Sequence, residues 1–246
     1  MINVEKFPEY YQNTFSVVRA NTQILLNRVY QLRYQVYCLE NKFEDPAEHL
    51  DGREMDRHDA RSAHLLLLHR KSGMAVGTAR LIMPDIWDSL PIWHVLEPEV
   101  REQFERLPLH RTGEVSRFAV SKEFRRWWQH HRDPATASAP QHARSDEQRF
   151  MQYITFGLIH DLLQIAIERG LHYVTAVMNP SLLRIVTNLG VEFKPIGAPV
   201  EYHGIRQPCV ARVSRLIEQL QKNFTLLWQF CSSPGNIFSP SVRMNQ

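Results

Sequence analysis

Charged side chains stand inside segments of this chain that otherwise read as core. The stretch GEVSRFAV, residues 113–120, has Val115, Phe118, Ala119 and Val120 as apolar positions, yet it also holds Glu114 and Arg117. Arg80 lies within the apolar run AVGTARLIM, residues 75–83. Arg33 recurs with Leu26, Tyr30 and Tyr37 at helical spacing. The segment EMDRHD, residues 54–59, supplies Asp56 and Asp59. Burying an unpaired ion costs roughly several kcal/mol even after relaxation. The chain must therefore fold so that these groups meet one another or face a wet cleft. Glu114 and Arg117 are three apart, so a regular strand points them to opposite sides. A β-bulge between them would bring both to one side. Two readings follow: a structural ion-pair network pinning loop 51–59 to a sheet, or the polar wall of an active cleft.

The surrounding pattern is that of a layered α/β fold with a central mixed sheet. TFSVVRA, residues 14–20, reads as a short strand, and Asn21 or Thr22 caps a helix running through ILLNRVYQLRYQVYCLE. Residues 41–62 read as an ordered loop, with Phe43, Leu50 and Met55 spaced through it as anchors. Residues 63–69 and 75–83 form a hairpin turning at Ser72-Gly73, and Pro84 ends its second strand. Residues 85–109 read as short helices and loops. After the strand GEVSRFAV, residues 129–146 are rich in Ala, Ser, Pro and His and read as a mobile insertion. A helix follows over 150–169, with Phe150, Ile154, Leu158, Leu162 and Ile165 on one face and Gly170 at its end. Residues 171–178 are a strand. Asn179 caps a helix with Pro180 at its first position and Gly190 as its stop. Two strands then turn at His203-Gly204, and a last helix spans about 211–231, with Val213, Leu216, Leu220 and Phe224 spaced for packing. Residues 1–231 thus make one domain, and 232–246 a loose tail.

Composition narrows the functional classes. The formal charge of +3 is too small to require nucleic acid. Three cysteines, Cys38, Cys209 and Cys231, have no metal-like spacing and fit a reducing, cytoplasmic setting. His130, His131, His142 and His160 have no paired spacing for a metal either. The opening residues contain no signal-peptide core, and no stretch approaches the roughly 20 apolar residues of a membrane span. At most peripheral membrane contact is expected. RRWWQHHR, residues 125–132, is plainest as a solvated loop. It could also dock an acidic protein surface, while nucleic acid is not expected.

The ordered motifs LRYQVY, EMDRHD, GTARLIMP and GEVSRFAV resemble those of the autoinducer synthases, which make N-acyl-homoserine lactones. The likeness is stronger to the exosortase (PEP-CTERM)-associated acyltransferases and the N-acyl amino acid synthases, and NPSLLRIVTNLG and PVEYHGIRQP extend it to about residue 210. The resemblance implies a three-layer fold of the GNAT superfamily. It implies transfer of a long-chain fatty acyl group from acyl carrier protein, or coenzyme A, to an amine or amino acid, with no bound cofactor or metal. It assigns Glu114 and Arg117 to catalysis, and Arg33, Tyr37, Asp56, Asp59, Arg80 and Phe118 to substrate binding. The segment SKEFRRWWQHHR lacks the glycines with which many GNAT enzymes cradle the coenzyme A diphosphate, which favours a carrier-protein donor.

The chemistry fits these residue types. Aminolysis of a thioester needs a neutral amine, a polarised carbonyl and a groove for the chain. Glu114, directly or through a water, would take the amine proton. Arg117 would hold that carboxylate or anchor an acceptor carboxylate. Cys38 is expected to pack rather than react. The alternatives are an acyl-homoserine-lactone synthase using S-adenosylmethionine and a non-catalytic module that binds acyl chains or their carrier.

Overall fold

The computed structural model describes residues 7–131, 143–202 and 204–223 with Thr225 and Trp228; for 7–10 and 143–153 it describes the backbone alone. Eight strands form one sheet in the order β1-β2-β3-β4-β5-β8-β6, with β7 paired to β8. The strands are β1 Phe15–Arg19, β2 Ser62–His69, β3 Ala75–Ile82, β4 Thr112–Val120, β5 Tyr173–Met178, β6 Lys194–Pro195, β7 Val200–Glu201 and β8 Ile205–Arg212. Only β4 and β5 run parallel; every other pairing is antiparallel.

Leucines packed on both sides explain why the sheet is buried on both faces. In β2, Leu65 and Leu67 join one core cluster while Leu66 joins another, as the two-residue strand period requires. The first face carries α1 (Phe7–Thr14), α4 (Lys122–His131), α5 (Ala143–Glu168), α6 (Pro180–Asn188) and α7 (Val213–Asn223), through Tyr11, Phe124, Leu158, Val186 and Leu216. The second face carries α2 (Gln23–Arg33), whose Val29, Tyr30 and Leu32 pack on it. Beyond α2 a smaller cluster of Ile82, Leu90, Ile92 and Phe104 covers that face, the last from α3 (Pro98–Phe104).

Several expectations need correction. The first helix does not run on as α-helix to Glu40: after Arg33 the winding widens into a π-helix, Tyr34–Glu40, which α-periodicity cannot reveal. Leu50 is 92% exposed and Met55 is 43% exposed, so they do not anchor loop 41–62; carboxylates do, as described below. RRWWQHHR belongs to α4 through His131, and Trp127 and Trp128 pack against the core, so the segment is not a solvated loop. Of the expected insertion 129–146, residues 129–131 are the end of α4 and 143–146 the start of α5; the rest lies outside the described residues. The last helix starts at Val213 because Ala211 and Arg212 still pair with β5. Phe224, His203, the Phe150 side chain and the tail from Ser232 lie outside the described residues. Thr22 is the cap of α2, accepting from the Leu25 amide, and Asn179 caps α6 by accepting from the Leu182 amide. An unforeseen helix, α1, precedes β1.

Candidate active site

The site grows from a break in the sheet. β4 pairs with β5 only from Thr112 to Val115; beyond that the two parallel strands part. On its other edge β4 carries one extra residue: Thr78 faces Ala119 but Arg80 faces Ser116. This bulge holds Arg117 at φ 47, a left-handed conformation that is costly for a residue with a Cβ. Gly77 lies beside it, and a Cβ there would come within 2.8 Å of the Ala119 carbonyl oxygen. The bulge brings the Arg117 guanidinium to the side of the sheet that Arg80 and Glu114 face, resolving the puzzle of an acid and a base three residues apart.

On that side three arginines meet Glu54, Asp56 and Asp59, with Glu44 a fourth carboxylate 3.5 Å from Arg117. Arg33 donates from Nε and Nη2 to both oxygens of Glu54, at 2.6 and 3.0 Å. It also donates to Asp59 at 2.7 Å. Arg80 donates to Asp56 and Asp59, at 2.6 Å each, and to the Ser116 hydroxyl at 2.9 Å. Arg117 donates to Glu54 at 2.9 Å and lies 3.1 Å from Asp56. Its guanidinium sits 5.3 Å from the Tyr37 ring centroid, and the Tyr37 hydroxyl donates to the Phe118 carbonyl at 3.4 Å. Burial opposes ionisation of Glu54, but the hydrogen bonds from Arg33 and the charges of both arginines outweigh it and hold its carboxyl at about 2. Asp56 is likewise held below the usual range, with Arg80 overriding burial. Burial also opposes the charge of Arg117, yet Glu54 and Tyr37 hold it firmly protonated.

Glu114 stands apart from this balanced set. It is 2% exposed, and one of its oxygens accepts from the Ile92 amide at 2.8 Å. Among the described residues no cation lies within ion-pair distance of it. Burial therefore dominates and lifts its carboxyl to about 7, against the pull of the Ile92 amide and the more distant Arg80, Arg61 and Arg117. A carboxyl so poised is shared between acid and base near neutral pH.

A cavity of about 570 Å³ passes through the break between β4 and β5. Its polar wall includes Tyr37, Asp56, Arg80, Glu114 and Arg117, with Phe118 beside them. Its apolar wall comes from α5, α6, β5 and α7, with Leu162, Leu163, Ala176, Leu182, Val186 and Leu216. Arg33 and Asp59 do not line it; they are buried behind the wall and fix the groups that do. Glu54 plays the same part and escaped sequence reasoning, although it stands two residues before Asp56 in the quoted segment. No sequence signal marked it: only in the structure is Met55 exposed while Glu54 beside it is buried. Cys38 is buried and its thiol is pushed up to about 11 by burial, which leaves it unreactive. Among the described residues no group of His, Cys, Asp or Glu is arranged to hold a metal, and no helix is long and apolar enough to cross a membrane.

Comparison with known proteins agrees with this architecture. Residues 32–128, which carry Glu114 and the ion-pair network of Arg33, Glu54, Asp56, Asp59, Arg80 and Arg117, match the model of the acetyltransferase (GNAT) domain. No curated protein sequence matches the chain. Among solved structures, TofI in a ternary complex with an inhibitor and MTA is 19% identical, with a TM-score of 0.56, covering 89% of this chain and 100% of that one. FeeM, an N-acyl amino acid synthase from uncultured soil microbes, is 16% identical, with a TM-score of 0.54 and coverage of 85% and 96%. BjaI, a CoA-dependent acyl-homoserine lactone synthase crystallised with SAM and isopentyl-CoA, is 19% identical, with a TM-score of 0.52 and coverage of 87% and 89%. The chain thus carries an acetyltransferase (GNAT) domain over residues 32–128, set in a fold that these acyl-transferring synthases share.

Proposed function

We propose that this protein moves a long-chain fatty acyl group from a thioester of acyl carrier protein, or of coenzyme A, onto the amine of a small molecule such as an amino acid, giving an N-acyl lipid. The observation that carries the reading is one continuous cavity with a lone buried carboxylate at its polar end and an apolar lining at the other. The apolar end suits an acyl tail. At the polar end the thioester carbonyl meets the amine beside Glu114. Ionised Glu114 takes a proton from the bound ammonium, directly or through a water; the neutral amine then attacks the thioester carbonyl, and as the C–N bond forms the C–S bond breaks and the sulfur leaves as thiol with the nitrogen's surplus proton. Arg117, fixed by Glu54 and Asp56, stands on the cavity wall where its guanidinium edge would meet an acceptor carboxylate. No covalent enzyme intermediate is required, in keeping with the inert Cys38. FeeM, with the same fold, is an N-acyl amino acid synthase by name, which favours this acceptor class.

A second reading, an acyl-homoserine-lactone synthase using S-adenosylmethionine, draws on the fold shared with TofI and BjaI. A carrier-coupled assay with and without S-adenosylmethionine, followed by mass spectrometry, separates the two. Lactone formed only with that acceptor supports the second reading, and N-acyl amino acids formed without it support the first. No acyl transfer to any amine would leave a non-catalytic acyl-binding module and end both.

A further inference from the structure

Helix α4 leaves the C-terminal end of β4 beside the cavity mouth, where Lys122 and Arg125 stand on the wall. Free amides at such a helix start are a ready site for phosphate, since the helix dipole and the N–H groups both favour an anion. Here the amides are already engaged. The Lys122 amide donates to Glu40 Oε2 at 2.9 Å and the Glu123 amide to Glu40 Oε1 at 3.0 Å. The Phe124 amide donates to the Ser121 hydroxyl at 3.0 Å. Glu40 is the last residue of the π-helix, and it is held there from two further sides. Gln35 donates to its carboxylate at 2.9 Å, and Lys122 Nζ donates to its carbonyl at 3.1 Å. α4 supplies a second carboxylate in its first turn, Glu123, to which Gln35 also donates at 3.0 Å, but the carboxylate on the amides comes from 82 residues earlier in the chain.

We infer that Glu40 is a donor-selecting residue: its carboxylate occupies the anion site of α4, so the cleft accepts a carrier-protein thioester and rejects coenzyme A. The inference rests on the acyl-transfer reading and names the donor within it. Both donors present the same pantetheine arm and a first phosphate. Coenzyme A adds a second phosphate and a nucleotide, and a diphosphate seated on the α4 amides must displace Glu40 against like charge. A carrier protein presents a single phosphodiester, for which Lys122 and Arg125 offer positive charge without the amides. Selectivity here comes from an element that repels the wrong partner rather than one that grips the right one.

The test compares desulfo-coenzyme A with 4′-phosphopantetheine by titration calorimetry on the full chain, in the parent, Glu40→Gln and Glu40→Asp. In the parent, desulfo-coenzyme A should bind no more tightly than phosphopantetheine. Glu40→Gln should shift the affinity ratio toward desulfo-coenzyme A by about tenfold or more, whereas Glu40→Asp, which keeps the charge, should stay near the parent ratio. A thermal melt of each variant checks that the fold is kept. A parent that prefers desulfo-coenzyme A by about tenfold or more, or a Glu40→Gln ratio equal to the parent's, overturns the inference. Turnover with acyl carrier protein is measured separately: its absence with any amine ends the enzymatic reading, while the binding ratios still judge Glu40.

Discussion

Glu54 and Glu114 are both buried carboxylates that feel the charge of Arg117, and their acidities move in opposite directions, to about 2 and about 7. Burial pushes both upward; the difference lies in their partners. Glu54 accepts from two guanidinium groups. Glu114 accepts from a backbone amide, because the positive charge of Arg33, Arg80 and Arg117 is already matched by Glu54, Asp56 and Asp59. The balanced knot builds a rigid wall, and the carboxylate left outside it is free to exchange a proton. Two groups of the same type thus differ in whether a guanidinium holds their charge.

The sharpest way to break this comparison is to neutralise each carboxylate in turn. Glu114→Gln should lower kcat for amine acylation by about 10²–10⁴-fold, the usual contribution of a general base, with folding intact. Thioester consumption and a thermal melt read the two quantities, and an unchanged kcat would remove Glu114 from the mechanism. Glu54→Gln should act the other way round, mainly on stability. It leaves Arg33 and Arg117 buried with too little negative charge, at a cost of about 3–5 kcal/mol in urea unfolding. A loss under about 1 kcal/mol would mean the knot is not what holds loop 53–59.

Acidity sharpens the contrast. As a base Glu114 must be ionised, so kcat/KM should rise about tenfold per pH unit below about 7 and level off above it. Its raised pKa also means that its contribution to stability is complete below about 4.5 and declines as pH rises through about 7. Glu54 is depressed instead. Its contribution is present above about 4.5 and disappears as pH falls toward about 2. Denaturant titrations across that range should therefore show acid loss in the parent that Glu54→Gln lacks. At the apolar end the expected effect is smaller. Val186→Phe should shorten the accepted chain, reducing kcat/KM for the longest substrates by about tenfold through lost burial of one or two methylenes, and sparing short ones. The smallest effect is expected for Cys38→Ala, within about twofold of the parent, since a buried thiol of this kind only packs. A large loss of activity there would reopen the question of a covalent intermediate.

Much of this was legible in the sequence. Apolar periodicity, the Ser72-Gly73 turn and the caps at Thr22 and Asn179 fix strands and helices locally, because they depend on neighbours a few residues apart. The cost of burying ions also required Arg33, Arg80 and Arg117 to meet carboxylates or face a wet cleft, and the structure realises the first with the acids of EMDRHD. What periodicity does not encode stayed hidden: the π-winding after Arg33, the bulge at Arg117, and the exposure of Leu50 and Met55. Each depends on how one segment is pulled by another far along the chain. The helical nature of RRWWQHHR was missed for a related reason, since its cap, Glu40, belongs to a different element.

The sequence alone determined the layered α/β architecture and the set of ionic groups that had to converge. Only the tertiary structure decided which acid each arginine took, and so which carboxylate was left over. That choice turns on distances of a few ångströms in a low-dielectric interior. There a guanidinium 2.6 Å from Glu54 stabilises its charge, and an amide 2.8 Å from Glu114 does not suffice.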